Sequence, residues 1–318
     1  MEKWYSKASS AVRERYILPK DSQRNNQEDK QLSEQSLEKP PLKERLRNAK
    51  HVFLDLDGCV TPVLEGENLL KLFKLLHQLR EKGVTTTICT GRPAPYVQGV
   101  ARLLSLPGEA WHSAEHGAIV FQGGDGLEIR NLIPSGDTKK ILEVKQLLQE
   151  YVVDEGLANF EPGKTFIAIF PRKYKNEQGE HDQIIKVKEL KEIVKLILER
   201  KKVLNLCQEI ADIVTSDLAV DILPKASNKL KALQECLRLN SSVKRDNGGK
   251  LRQVLYIGDS AGDWSVMKDP RIGVIGCPAN ADPATQELVQ KQAGIISSEK
   301  TTGGVAEILE QLLQAKTS

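Results

Sequence analysis

Beyond residue 50, short apolar runs alternate with longer stretches in which apolar residues recur every three or four positions. The short runs read as buried strands and the longer stretches as amphipathic helices. Val52 to Leu56 is the first strand. Leu69, Leu70, Leu72, Phe73, Leu75, Leu76 and Leu79 mark a helix over Glu67 to Lys82. Val84 to Cys89, rich in β-branched residues, is a second strand. A helix from about Ala94 to Leu104 follows, then extended segments near Trp111 and from Ala118 to Phe121. Strand–helix–strand units of this length predict a parallel sheet with right-handed crossovers.

The middle of the chain breaks this rhythm. Asp137 to Glu155 reads as a helix, Thr165 to Phe170 as a strand and Gln183 to Arg200 as a helix. Ile210 to Val214 and Leu218 to Leu223 are short strand candidates. Residues 126–222 thus form an α+β insert. The rhythm resumes with a helix over Lys229 to Leu237, strands over Val254 to Ile257 and Ile272 to Ile275, and helices starting near Pro283 and Gly304. The expected fold class is α/β: a Rossmann-like parallel-sheet core, residues 48–125 and 223–318, split by a second, α+β domain. Residues 1–47 stand apart. Asp21 to Lys39 is rich in Gln, Asn, Ser, Glu and Lys, cannot bury enough surface to offset its ordering entropy, and reads as a disordered polar tail. Trp4, Tyr5, Tyr16, Ile17 and Leu18 could form a docking segment within it; an untethered tail or a misassigned start codon is the blander reading.

Composition narrows the function classes. The 318 residues carry a net charge of only +3, spread along the chain, and aromatics are few. Neither a basic nucleic-acid surface nor a base-stacking platform is expected. No apolar run is long enough to span a membrane, and the N-terminus lacks a signal-peptide core. The five cysteines are scattered and form no CxxC pair, so they read as reduced thiols in a cytoplasmic protein.

The candidate chemistry lies where strands end or helices begin. Asp55-Leu56-Asp57-Gly58 places two carboxylates just past a buried strand, outside its carboxyl end, where open α/β sheets bind ligands. Thr90-Gly91-Arg92-Pro93 follows the second strand. Ser227-Asn228-Lys229 opens a helix. Gly258-Asp259-Ser260-Ala261-Gly262-Asp263 follows a third strong strand. Each has an ordinary reading taken singly: a turn, a solvated lysine (Lys225 and Lys231 are neighbouring alternatives), a helix cap. All four in this order are hard to assign to chance.

On these residues the chain resembles the haloacid dehalogenase superfamily of phosphohydrolases, from about Lys50 to the C-terminus. The second carboxylate, Asp57, is lacking in members that attack carbon, and points to phosphoryl transfer. The resemblance implies that Asp55 is the nucleophile and forms an aspartyl-phosphate. It implies that Asp57 is the general acid and then the base, with its backbone carbonyl on Mg²⁺. Asp55 and Asp259 would supply carboxylate oxygens to that Mg²⁺, with Asp263 as ligand or support. Thr90 and Gly91 would bind phosphate oxygens together with Arg92, and Lys229 would offset the gathered negative charge.

The insert position resembles the C2-type cap of the family, which closes over the site and contacts the leaving group. Ala114-Glu115-His116-Gly117-Ala118 is similar to the loop before that cap, with His116 a candidate substrate contact. Glu161, Lys164 and Arg172 lie in a segment that loosely resembles the cap substrate segment of sugar-phosphate members. Cys277-Pro278-Ala279-Asn280-Ala281 is closer to the phosphoglycolate-phosphatase and Cof-type versions, with Asn280 taken as a further binding residue. A solvated surface role or a structural hydrogen bond is the competing reading for these positions. The expected partner is a small phosphorylated metabolite, most of all a sugar phosphate. Phosphoglycolate hydrolysis, a sugar phosphomutase and a non-catalytic scaffold binding partners through the tail are the alternatives.

Overall fold

The computed structural model describes residues 39–60, 66–123, 128–161, 163–175, 181–215, 219–240 and 249–317. Residues from Pro41 onward form one unit. Its first element, helix α1 (Leu42–Asn48), lies inside the stretch read from sequence as tail. Leu46 is buried, and so is Arg45, whose guanidinium donates to the carbonyl oxygens of Gly273 and Ala293. The Leu42/Leu46 pair, four residues apart, is too short an apolar signal to stand out among the charged residues around it. The remainder of the expected tail, residues 1–38, lies outside the described residues.

Strand β1 (His51–Leu54), helix α2 (Gly66–Glu81), strand β2 (Thr85–Ile88) and helix α3 (Ala94–Leu103) come first. Strands β3 (Trp111–Ala114), β4 (Ile119–Gln122) and β5 (Ile129–Asn131) then form an antiparallel meander. Helix α4 (Ser135–Leu148) leads to strands β6 (Ala158–Phe160), β7 (Ile167–Pro171), β8 (Lys173–Lys175) and β9 (His181–Gln183). Helices α5 (Val187–Arg200) and α6 (Leu204–Ile210) precede strands β10 (Ala211–Thr215) and β11 (Val220–Pro224). The chain ends with α7 (Lys229–Leu239), β12 (Val254–Ile257), α8 (Trp264–Met267), β13 (Val274–Cys277), α9 (Pro283–Lys291), β14 (Ile295–Ile296) and α10 (Thr301–Thr317).

The central sheet has the order β14-β13-β12-β1-β2, and every pair in it is parallel. Its inner strands β1, β12 and β13 are buried and largely apolar on both faces, as a sheet covered on both sides requires, while the edge strand β2 buries Thr86 and Thr87 beside Ile88. Leu54 and Ile257 pack in one buried cluster, Phe53 and Tyr256 in another. A single parallel bridge, Cys89 to Ser113, ties the meander to this sheet.

The insert builds its own antiparallel sheet, in the order β10-β11-β7-β6. Period-2 alternation gives it two different faces. Ile167, Ile169, Val220 and Ile222 pack on Ile141, Val144 and Leu148 of α4 and on Leu190, Val194 and Leu198 of α5. The other face carries Glu161, Ala168 and Asp221 in one row, since Asp221 pairs with Ala168, and the Ala168 carbonyl accepts the Glu161 N–H at 3.0 Å. Three details depart from the sequence reading. Gln183 belongs to the β8–β9 hairpin, so α5 starts later, at Val187. Helix α6 occupies Leu204–Ile210, just before the strand expected there. Ile272 precedes rather than opens β13.

Among the described residues no helix is long and apolar enough to cross a membrane. Leu190 is fully buried between the insert helices and sheet. Leu190→Ala should cost about 2–5 kcal/mol of unfolding free energy, as buried Leu truncations do, read from urea midpoints; an unchanged midpoint would contradict this packing.

Candidate active site

The parallel register brings the candidate residues to one level. Leu54 pairs with Ile88 on one side and Ile257 on the other, so Asp55 leaves β1 beside Cys89-Thr90 and Gly258-Asp259. The Asp55 N–H donates to the Ile257 carbonyl at 2.9 Å, and the Cys89 N–H to the Leu54 carbonyl at 2.8 Å. Lys229 arrives from a fourth direction. Asn228 caps α7 by accepting the N–H groups of Leu230 at 2.8 Å and Lys231 at 3.1 Å, which fixes where the helix begins.

Lys229 is buried and donates to Asp55 Oδ2 at 2.9 Å and to Asp263 Oδ1 at 2.7 Å. Ligand oxygens of Asp55, Asp259 and Asp263 lie within 4.8 Å of one another. Three carboxylates thus share one ammonium. Burial, then the charge of Asp263, pushes Asp55 up to about 7 against the pull of Lys229. Burial, then Asp55 and Asp263, pushes Asp259 up to about 8. A divalent cation on Asp55 and Asp259 fits this donor set: hard oxygens with a charge left uncompensated. Asp263 is engaged on both oxygens. Its Oδ1 accepts Lys229 and the Tyr256 hydroxyl at 2.5 Å, and its Oδ2 accepts the N–H groups of Asp259 at 3.1 Å and Ser260 at 3.3 Å. It organises the loop more than it offers a vacant ligand. Gly58 has a φ of +74°, and a Cβ there would lie 2.0 Å from Asp259 Oδ2, so only glycine lets the two loops meet.

Thr90 is buried beside this cluster, and its Oγ1 accepts the Arg92 N–H at 3.3 Å. His116 covers Gly91 closely: a Cβ at 91 would lie 2.4 Å from the imidazole. Burial, then Lys229, pushes His116 down to about 4, so the ring is neutral at pH 7. Glu115, His116 and Gly117 take φ values of 52°, 57° and 83°, a left-handed run that two non-glycine residues adopt only under constraint.

Arg92 joins the core to the insert. Its Nε and Nη2 each donate at 2.8 Å to the two Asp57 oxygens, and its Nη1 donates to Glu161 at 2.7 Å. Asp57 and Glu161 are thus brought together at the Thr90-Gly91-Arg92 turn. A second tie is Glu115, which is buried and accepts the Lys164 N–H at 3.1 Å, the Thr165 N–H at 2.7 Å and the Thr165 hydroxyl at 2.5 Å. Sequence reasoning quoted Glu115 but passed over it for His116. Asp221, in the row with Glu161, was also missed. Burial, then Glu161, pushes it up to about 6, against the opposing pull of Arg92. Its one signal in the sequence was an acidic residue inside an apolar strand.

Other expected contacts fall elsewhere. Strand β7 carries the chain away from Thr165, and at about 3.3 Å per residue Arg172 sits roughly 20 Å further on. Arg172 is exposed, and its guanidinium lies against Gly156. The Lys164 side chain is exposed too, and only its backbone reaches Glu115. The Asn280 amide donates to the Gly58 carbonyl at 2.8 Å and accepts the Thr301 N–H at 2.6 Å, so it ties loops together rather than offering itself to a substrate.

The acidic cluster sets a pH dependence. An unfolded aspartate ionises near pH 4. Folded Asp55 and Asp259 hold their protons to about 7 and about 8. Between these limits the folded protein binds more protons than the unfolded chain, so stability falls as pH rises. Metal-free thermal melts should drop between about pH 5 and about pH 8, and Mg²⁺ should raise the midpoint more at the higher pH. Equal midpoints at both pH values would contradict the shared burial of these carboxylates.

Known proteins match this arrangement. Residues 52–309 fit the family model described as haloacid dehalogenase-like hydrolase. A phosphoglycolate phosphatase from Staphylothermus marinus is 24% identical over 268 residues, 81% of this chain and 95% of that protein. Another phosphoglycolate phosphatase, from Aeropyrum pernix, is 27% identical over 266 residues, 82% of this chain and 92% of its own. Among solved structures, a haloacid dehalogenase-like hydrolase from Bacteroides thetaiotaomicron shares the fold, with a TM-score of 0.57 at 17% identity over 83% of this chain and 99% of that one. The chain belongs to the haloacid dehalogenase-like hydrolases, as a C2-capped phosphoric monoester hydrolase.

Proposed function

We propose that this phosphatase hydrolyses the phosphomonoester of a small sugar phosphate, with Mg²⁺, through an aspartyl-phosphate on Asp55. The observation that carries this reading is Lys229, fixed by two buried bonds between Asp55 and Asp263 beside Thr90. Asp55 Oδ1 accepts the Leu56 N–H at 2.8 Å and Oδ2 accepts Lys229, which orients the carboxylate for attack on phosphorus. Thr90 and the Gly91 amide hold non-bridging oxygens, and Lys229 neutralises charge as the transferring group leaves. Asp57 protonates the leaving alcohol and then takes the proton from the attacking water. Arg92 holds Asp57 and Glu161 in one grip, which places Asp57 toward the cap side, where the leaving group departs; one of the two Arg92 bonds gives way when that oxygen carries the proton. Bound Mg²⁺ on Asp55 and Asp259 would draw charge from the phosphoryl oxygens. Uncatalysed phosphate-monoester hydrolysis is slow enough that accelerations reach ~10²¹, so every one of these groups has a share to supply.

The cap supports the sugar assignment. Glu161 and Asp221 share one face of its sheet, and the Arg92 guanidinium is already engaged by Asp57 and Glu161. Carboxylates there accept hydrogen bonds from substrate hydroxyls and repel a substrate carboxylate. A second reading, 2-phosphoglycolate as substrate, is favoured by the names of the archaeal relatives. A phosphomutase would return the phosphoryl group to another hydroxyl, and a scaffold would hydrolyse nothing.

Phosphate release over a metabolite panel, with and without EDTA, tests the reading. Mg²⁺-dependent release from sugar phosphates is expected; isomeric phosphates as products would favour the mutase, and no release would sink the proposal. The pair 2-hydroxyethyl phosphate and 2-phosphoglycolate differs only by a hydroxymethyl against a carboxylate. The hydroxyl member should have the higher kcat/KM, by about tenfold or more, since like charges about 10 Å apart at an effective dielectric near 20 already repel by ~1.7 kcal/mol. The reverse order would establish the second reading. Asp55→Asn should abolish turnover, and Lys229→Ala should lower kcat by about 10²–10³-fold.

A further inference from the structure

Tyr256 is a polar residue in an apolar place. It lies within β12, fully buried, in the same apolar cluster as Phe53, Leu233, Val266 and Met267. A phenylalanine would fill the same volume without a hydroxyl to satisfy, and a buried hydroxyl is costly unless it is bonded. Its bond is to Asp263 Oδ1, at 2.5 Å. The carboxylate can only accept, so the phenol donates. That same oxygen accepts Lys229 Nζ at 2.7 Å, and Lys229 also donates to Asp55 Oδ2 at 2.9 Å.

We propose that Tyr256 is a positioning residue for phosphoryl transfer, acting on Lys229 through Asp263. The inference rests on the role given to Lys229 above. Asp263 Oδ1 divides its attraction between a neutral donor and the ammonium. With the phenol bonded, the oxygen is anchored on the side of β12 and the ammonium stays shared with Asp55. Without it, Lys229 is the one remaining side-chain donor to that oxygen among the described residues and is drawn toward Asp263, away from Asp55 and the transferring phosphoryl group. The other Asp263 oxygen gives no compensation, because the N–H groups of Asp259 and Ser260 already occupy it. The three groups come from β12, from the turn before α8 and from the start of α7, so the chain of bonds spans elements that the sheet register alone does not fix.

The test is Tyr256→Phe, which keeps the ring. On a sugar phosphate or an aryl phosphate with Mg²⁺, kcat should fall about tenfold with KM within about twofold, a split expected for an interaction used in the transition state. Orthovanadate, a transition-state mimic, supplies a readout without turnover. Its affinity for the Mg²⁺-loaded protein should weaken about tenfold in Tyr256→Phe, and the same change made in Lys229→Ala should have no further effect. An unchanged kcat, a loss carried by KM, or equal weakening in both backgrounds would overturn the inference while leaving the hydrolase reading intact. A wild-type protein that hydrolyses phosphates but whose Lys229→Ala variant is fully active would overturn the role given to Lys229 and the inference with it; no phosphate release from the wild type would overturn the hydrolase reading.

Discussion

Everything at the carboxyl ends of the strands follows from gathering three carboxylates, two buried and one half-buried, around one ammonium. Asp55, Asp259 and Asp263 would repel one another in any fold that brought them together without Lys229, and with Lys229 the balance is still negative. The fold meets this by supplying donors from fixed backbone: Leu56 for Asp55, and Asp259 and Ser260 for Asp263. The charge left uncompensated is what the proposed Mg²⁺ would offset, so the same grouping that lowers stability prepares the site for a cation, a common trade between stability and activity.

The parallel sheet is the means of holding such a cluster. Strand ends are rigid because their register is set by many hydrogen bonds at once, and a one-residue slip would turn Asp55 into the core. Helix starts add the remaining groups, with Asn228 deciding where α7 begins and so where Lys229 emerges. Backbone without a side chain completes the packing. Gly58 meets Asp259, Gly91 meets His116, and Gly117 approaches the Asn228 carbonyl. These contacts leave no room for a Cβ, which is why the loops after β1, β2 and β3 carry glycine where they do.

The sequence was most legible where function and local structure coincide. An apolar run ending in Asp55-x-Asp57, or in Gly258-Asp259, announces both a strand and its chemistry. Lys229 could be chosen over Lys225 and Lys231 through the family pattern and the helix start. Positions whose role depends on distant partners were not legible. Asn280 is singled out by the family pattern, as a loop-ordering and binding residue, but its actual partners, Gly58 and Thr301, come from distant parts of the chain. Arg172 shares a segment with Glu161, yet the length of β7 separates them. Glu115 and Asp221 gave no periodic signal, because their meaning lies in the approach of insert to core, and Tyr256 looked like one more large residue in a buried strand. Helix α1 was hidden by its own charges.

The Glu115 tie has a bearing on how this protein can change. Glu115 holds the insert mainly through the main-chain N–H groups of residues 164 and 165, with one hydroxyl added. Main-chain donors are present whatever side chains follow them, so the attachment is indifferent to most of the cap's sequence. The sheet face that carries Glu161 and Asp221 can therefore vary in sequence while this attachment of insert to core stays in place. A chain so arranged separates the part that must stay from the part that can diverge.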